Sequence, residues 1–211
     1  MADTRVLKGG ITLAAIAAIC TALVAFTYEL TDDRIEANAQ AWLELSLLPA
    51  LGDLSFDGAI GDSRLTIQAP HELPGNDDAM IYRVYSKGSP VAALFVVSAR
   101  DGYSGPIRLL VGIDASGVVT GVRVLEHRET PGLGDGIESS DWTQQFVGRS
   151  LGNPASSGWK ISGDGGEFDQ LTGASVTPRA VVKAVRQTLE YYIVNRDIVF
   201  AATGKPEGVM E

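Results

Sequence analysis

The chain has 211 residues, of which 45% are apolar and 20% charged, and it carries a formal net charge of −9. This composition supports a packed core and argues against disorder, and the length fits one globular domain with additional segments. The acidity excludes nucleic-acid binding driven by phosphate contacts and disfavours adhesion to anionic lipid.

Residues Gly9 to Tyr28 form a run of twenty uncharged, mostly apolar residues. Twenty helical residues are about 30 Å long, the thickness of a hydrocarbon core. A cleaved signal peptide would have a shorter apolar region and small residues before its cleavage site, whereas Leu23 sits two before Ala25. A lipoprotein signal would need a small residue where Ile19 precedes Cys20, and a buried core helix of this length would show polar positions. The segment therefore reads as an uncleaved single-span anchor. Arg5 and Lys8 precede it and only Arg34 follows closely, so the rule that counts Lys and Arg puts the N-terminus in the cytoplasm. Asp3, Arg5 and Lys8 give residues 1–28 a charge of +1, which leaves −10 for the exported part. The single cysteine, Cys20, lies in the span, and the histidines are His71 and His127 alone. The exported part thus has no disulfide and no thiolate or histidine-rich metal site.

Thr31 to Leu48 reads as a second helix, capped by Thr31, with Asp32 and Asp33 in its first turn and Pro49 at its end. Its apolar side holds Ile35, Ala39, Trp42 and Leu43, widened by Leu45, Leu47 and Leu48. Gly52 to Gly61 reads as loop and His71 to Ala79 as a turn-rich stretch. Four strands are then predicted, Met80–Lys87, Val91–Ala99, Pro106–Asp114 and Val118–Glu126, and their short connections imply an antiparallel meander. Ser139 can cap a short helix carrying Trp142 and Phe146 and ending at Gly148. Ser157 to Ser162 reads as a further strand with Trp159 inward, and Asp164-Gly165-Gly166 as a turn. Trp142, Trp159 and Phe168 are most simply core residues. Ala180, Val181, Ala184, Val185, Thr188, Leu189 and Tyr192 recur at helical spacing, which predicts a helix capped by Thr177, with Pro178 at its first position, running to about Tyr192. The fold class is α+β: one transmembrane helix, then an antiparallel sheet with packed helices. The predicted division is 1–30 cytoplasmic N-terminus and anchor, 31–61 helical stalk and linker, 62–200 folded domain, 201–211 tail.

Two stretches carry more than fold. His127-Arg128-Glu129-Thr130-Pro131-Gly132-Leu133-Gly134-Asp135-Gly136 interrupts the strand pattern, and its Pro and glycines bring backbone amides close to whatever lies beside them. Asp169-Gln170-Leu171-Thr172-Gly173-Ala174-Ser175-Val176-Thr177 sets three hydroxyls and two small residues before a helix N-terminus, where free N–H groups and the macrodipole favour an anion. Taken alone, the first is also what a long surface turn looks like, and the second what an ordinary capped turn looks like. No Gly-x-Gly-x-x-Gly opens a helix after a strand, so a Rossmann reading fails.

Both stretches resemble the FMN-binding domain found in the G subunit of the Rnf electron-transport complex; the C subunit of the sodium-pumping NADH:quinone oxidoreductase carries a similar acceptor motif. His-x-Glu-Thr-Pro-Gly-Leu-Gly and Asp-x-x-Thr-Gly-Ala-Ser recur in order, about forty residues apart, and two ordered motifs are far more specific than one. Gly102-Tyr103-Ser104-Gly105 onward, Asp141 to Gly148 and Gly165 to Gln170 are also similar, so that the likeness covers about Gly102 to Leu189. The resemblance implies FMN joined through its phosphate to Ser175 by a dedicated flavin transferase, with serine here where most members are expected to have threonine. It implies Thr172, Gly173, Ala174 and Thr177 around the attachment, Glu129 and Thr130 as polar contacts, and Leu133 against the ring. Asp169 is implied in recognition by the transferase. The implied protein relays electrons within an ion-translocating oxidoreductase and is not catalytic alone, with no acid–base residue and no metal. The other membrane subunits are its partners, and it sits in the bacterial inner membrane with its domain on the periplasmic side. The C subunit of the quinone reductase and a flavin-free anchored binding module are the alternatives. A Ser/Thr hydrolase would need a base, for which His127 is the only candidate; a packed strand-end histidine reads equally well.

If the apolar run is an uncleaved anchor, the mature chain begins at Met1 or Ala2 and stays with the membrane in alkaline carbonate. N-terminal sequencing of the membrane fraction checks this, and a start near Phe26 would refute it.

Overall fold

The computed structural model describes residues 10, 13–22, 47–52, 54–57 and 60–201. The chain divides into two units, 1–43 and 44–211. In the first, residues 13–22 are helical and exposed, and among the described residues no helix is long and apolar enough to cross a membrane. The end of the predicted span and the helix predicted from Thr31 lie outside the described residues up to position 46.

The second unit is built on a five-stranded antiparallel sheet in the order β1-β2-β3-β4-β5, with β1 Arg64–Ile67, β2 Ala79–Ser86, β3 Ser89–Ala99, β4 Ile107–Asp114 and β5 Val119–Glu126. The predicted meander is present, each of its strands within two residues of its predicted bounds. Ser89 and Pro90, predicted as connection, belong to β3, because Lys87 and Gly88 at φ 51° and 77° close the hairpin by themselves. Two consecutive positive φ values are what a two-residue hairpin turn needs. The sequence reading has no counterpart of β1: four half-exposed residues at a sheet edge leave too short a pattern, and pairing with β2 makes them a strand.

A long helix, α2 (Val176–Val199), follows a short one, α1 (Ser140–Gln144). Period-two alternation sends Ala93, Phe95 and Val97 of β3, and Leu109, Val111 and Ile113 of β4, into one core with Val181, Val185 and Leu189 of α2. Phe95 meets Tyr192 edge-on at 6.1 Å between ring centres. The helix runs past its predicted end at Tyr192, with non-helical dihedrals at Asn195, because Phe200 beyond it packs edge-on against both Tyr192 and Tyr85. Buried Arg83 donates to the carbonyl of Ala201 at 2.8 Å.

On the other face the sheet receives a helical turn at residues 47–51, with Leu47, Ala50 and Leu51 buried. Pro49 does not end this helical stretch as predicted. Tertiary contact decides: Thr120 donates its hydroxyl to the carbonyl of Ala50, and the backbone there rests on the paired glycines 112 and 121. A Cβ on Gly112 would lie 2.1 Å from the Ala50 oxygen, and one on Gly121 2.8 Å from its Cα.

Ser157 to Ser162 is not a strand. The chain there makes a tight turn at Ser156–Gly158, and its one bridge joins Ile161 to Phe168. It doubles back so closely that a Cβ on Gly166 would lie 2.0 Å from the Lys160 oxygen, leaving no room for a ladder. Trp159 does point inward, in a cluster with Phe168, Phe146 and Trp142. Ser139 precedes α1 as predicted but caps with its carbonyl, which accepts from Thr143 N at 3.1 Å; its side chain makes no cap bond.

Gly112→Ala should force the 47–51 turn off the sheet and destabilise the domain by about 1–3 kcal/mol, the usual cost of overpacking. Urea unfolding, with proteolysis reporting new cleavage near residue 51, measures it.

Candidate functional site

The two motif stretches meet as a pair of glycine turns. In one, Leu133 N and Gly134 N both donate to the carbonyl of Thr130 at 3.1 Å, with Pro131 second and Gly132 third at φ 77°. Pro at the second position and a positive-φ Gly at the third define a type II turn. In the other, Ala174 N donates to Leu171 O at 3.1 Å with Gly173 at φ 81°. Each turn uses space that a glycine leaves near the other. A Cβ on Gly173 would lie 3.0 Å from Leu133 Cδ2, and one on Gly136 3.0 Å from Leu171 Cδ2.

Glu129 joins the pieces. It is buried, with one carboxyl oxygen accepting from Ser104 N at 3.0 Å and the other from the Thr177 hydroxyl. This corrects the predicted role of Thr177, which lies inside the helix and spends its O–H on Glu129 instead of capping. Pro178 is accordingly third in the helix, where its missing N–H still lacks an intrahelical partner. Ser175 holds the N-cap position, and its carbonyl accepts from Arg179 N at 3.3 Å. Its side chain is exposed, makes no cap bond and has no hydrogen-bond partner among the described residues.

Glu129, Thr130, Leu133, Gly173, Ala174, Ser175 and Thr177 all line one cleft of about 280 Å³. Thr172 and Asp169 are exposed and do not line it. Asp169 is held through its backbone: its N–H donates to Gln145 Oε1 at 2.6 Å, and its carbonyl accepts from Trp142 Nε1 at 3.0 Å. Gly134, Val176 and Tyr103 complete the lining; all three lie in stretches that the resemblance covers, but none was predicted as a site residue. Tyr103 sits in a stretch whose local pattern reads as a loop and which the family resemblance includes, and a large ring between two glycines was the signal available. Three larger clefts among the described residues, of about 430, 950 and 320 Å³, contain none of the hydroxyls of the 169–177 stretch.

Ion pairs brace the surroundings. Arg179 grips Asp164 with two hydrogen bonds, 2.6 and 2.9 Å, and these hold the Asp164 carboxyl below the usual carboxylate range. Lys183 likewise lowers Asp101, at the start of the loop bearing Tyr103. His127 lies outside the cleft. Its Nδ1 accepts from Glu129 N at 3.0 Å and its Nε2 lies 2.8 Å from Glu138 Oε1, so the base the hydrolase alternative called for does not line the cleft with Ser175.

These residues fit FMN. A free hydroxyl at the N-terminus of a 24-residue helix suits a phosphoryl group, since the first-turn N–H groups and the dipole favour its charge. Leu133 and Val176, 47% and 39% exposed, offer apolar surface beside it.

Residues 102–190 match the model of the FMN-binding domain, and residues 1–48 that of the RnfG N-terminal region. The chain is similar to the G subunit of the ion-translocating oxidoreductase complex of Pseudoalteromonas atlantica, 40% identical over 94% of this chain and 93% of that one. The G subunits of Vibrio vulnificus (43%, covering 90% of each) and Pseudomonas aeruginosa (44%, covering 92% of each) are similar as well. Among solved structures, Shewanella oneidensis NqrC shares the fold at a TM-score of 0.52 and 17% identity, covering 79% of this chain and all of that one.

Glu129→Ala should leave the buried Thr177 hydroxyl without its acceptor, at about 1–3 kcal/mol, and should free the exposed Ser104 N–H to water. Denaturant unfolding reads the loss, and Glu129→Gln should recover part of it by keeping one acceptor.

Proposed function

The chain belongs to the family of G subunits of ion-translocating oxidoreductase complexes, and from that membership we propose that it relays electrons through FMN joined by a phosphoester to Ser175. It is a redox subunit of a translocating complex, and residues 102–190, which match the FMN-binding domain, lie within the second unit. FMN, when bound, supplies the electron-accepting and electron-donating chemistry. The chain's residues hold, orient and shield. Ser175 offers the acceptor oxygen, Leu133 packs against the ring, and Glu129 and Thr130 supply polar contact at its edge. Thr172 and Asp169, both exposed, suit recognition by a flavin transferase.

The single observation carrying this reading is the state of the three hydroxyls. Thr177 is buried and committed to Glu129, Thr172 stands outside the cleft, and Ser175 lines it with its hydroxyl free. An attached cofactor needs an oxygen that an enzyme can reach, and Ser175 meets that need. The proposal extends to placement: one span at Gly9–Tyr28, the bacterial inner membrane, the domain on the periplasmic side, and the other membrane subunits as partners. The division into 1–30, 31–61, 62–200 and 201–211 is proposed with it.

Ser175→Ala, made beside an active transferase, should lose flavin fluorescence in a denaturing gel and the FMN increment in intact mass while the domain stays folded. Ser175→Thr should keep both. Covalent flavin surviving in Ser175→Ala, or absent from the wild type, would refute the attachment.

A further inference from the structure

Tyr103 lines the same cleft as Ser175, yet it is 74% exposed and makes no hydrogen bond or ring contact among the described residues. It is the one aromatic ring in the lining of that cleft. The loop that carries it is held tightly. Ser104 N donates to Glu129, and Lys183 pairs with Asp101. A Cβ on Gly102 would lie 2.2 Å from the Gly105 oxygen and 3.0 Å from both Glu129 Oε1 and Ile107 Cδ1. A tightly held loop presenting an unpartnered ring to a cleft is preorganised for a flat ligand. The other exposed apolar groups there, Leu133 and Val176, are aliphatic, so Tyr103 alone can stack.

We propose that Tyr103 is a flavin-contacting residue that covers one face of the isoalloxazine ring. This rests on the reading of Ser175 as the point of FMN attachment. Covering one face shields the ring from solvent and sets its orientation relative to Ser175. Leu133 remains the apolar contact from the opposite turn.

The test uses the full chain produced with the flavin transferase, as wild type, Tyr103→Phe and Tyr103→Ser. Intact mass and peptide mapping report flavin at Ser175, thermal unfolding reports the fold, and acrylamide quenching of flavin fluorescence reports ring exposure. Uncovering one of two faces should raise the collisional quenching rate constant of Tyr103→Ser (the quenching constant divided by the unquenched lifetime) roughly twofold, while Tyr103→Phe keeps the wild-type value. Equal quenching in all three flavinylated proteins would overturn the inference and leave the attachment standing. A folded Tyr103→Ser chain that takes up no flavin would overturn it too, since covering a ring is not needed to form the bond. A wild type with no flavin at Ser175 would remove both readings together.

Discussion

The site depends on one buried carboxyl group. Glu129 accepts from Ser104 in the loop before β4 and from Thr177 in the first turn of α2, segments 25 residues before and 48 after it in sequence. A buried carboxyl with both oxygens satisfied holds its donors firmly, because losing either bond strands a polar group away from water. Its own backbone N–H is fixed in turn by His127 Nδ1, whose other nitrogen meets Glu138. Glu129 thus sets where the Gly-rich turn stands relative to the helix end that carries Ser175.

Glycine decides how closely the pieces approach. Gly134 packs where a Cβ would lie 2.9 Å from the Glu129 carboxyl and 3.0 Å from the Thr177 hydroxyl. Its φ of −87° is open to any residue, so it is the missing side chain that matters here and not backbone freedom. Gly173 differs: its φ of 81° needs glycine, and the small residue also lets Leu133 in. The two turns therefore have complementary surfaces.

Much of this was legible in the sequence. Strict alternation in β4 marked its core face, and the spacing from Ala180 to Tyr192 marked the helix face that packs on it. Composition and turn chemistry located both motifs, and the resemblance joined them. What was hidden depends on tertiary partners. The helical turn through Pro49 exists because two glycines on neighbouring strands make a seat for it, and those lie 63 and 72 residues from Pro49 in the chain. Thr177 looked like a cap because local rules favour one there; a carboxyl 48 residues away took its hydroxyl instead. Tyr103 carried no periodic signal at all.

Losing the Thr177 cap has a consequence for chemistry. A hydroxyl that caps a helix is already engaged with backbone N–H groups, and a hydroxyl bonded to a buried carboxyl is out of reach. Ser175 is neither: it occupies the N-cap position without a side-chain cap bond and stays exposed. The first-turn N–H groups of α2 are thus left available for an anion instead of for the serine oxygen. At the same time the helix that presents Ser175 is anchored by Thr177 to Glu129 and by Arg179 to Asp164. The proposed attachment point therefore combines a reachable oxygen with a rigid mount. A group that must exchange electrons at a fixed distance needs both, and no proton-transferring side chain has to be added to them.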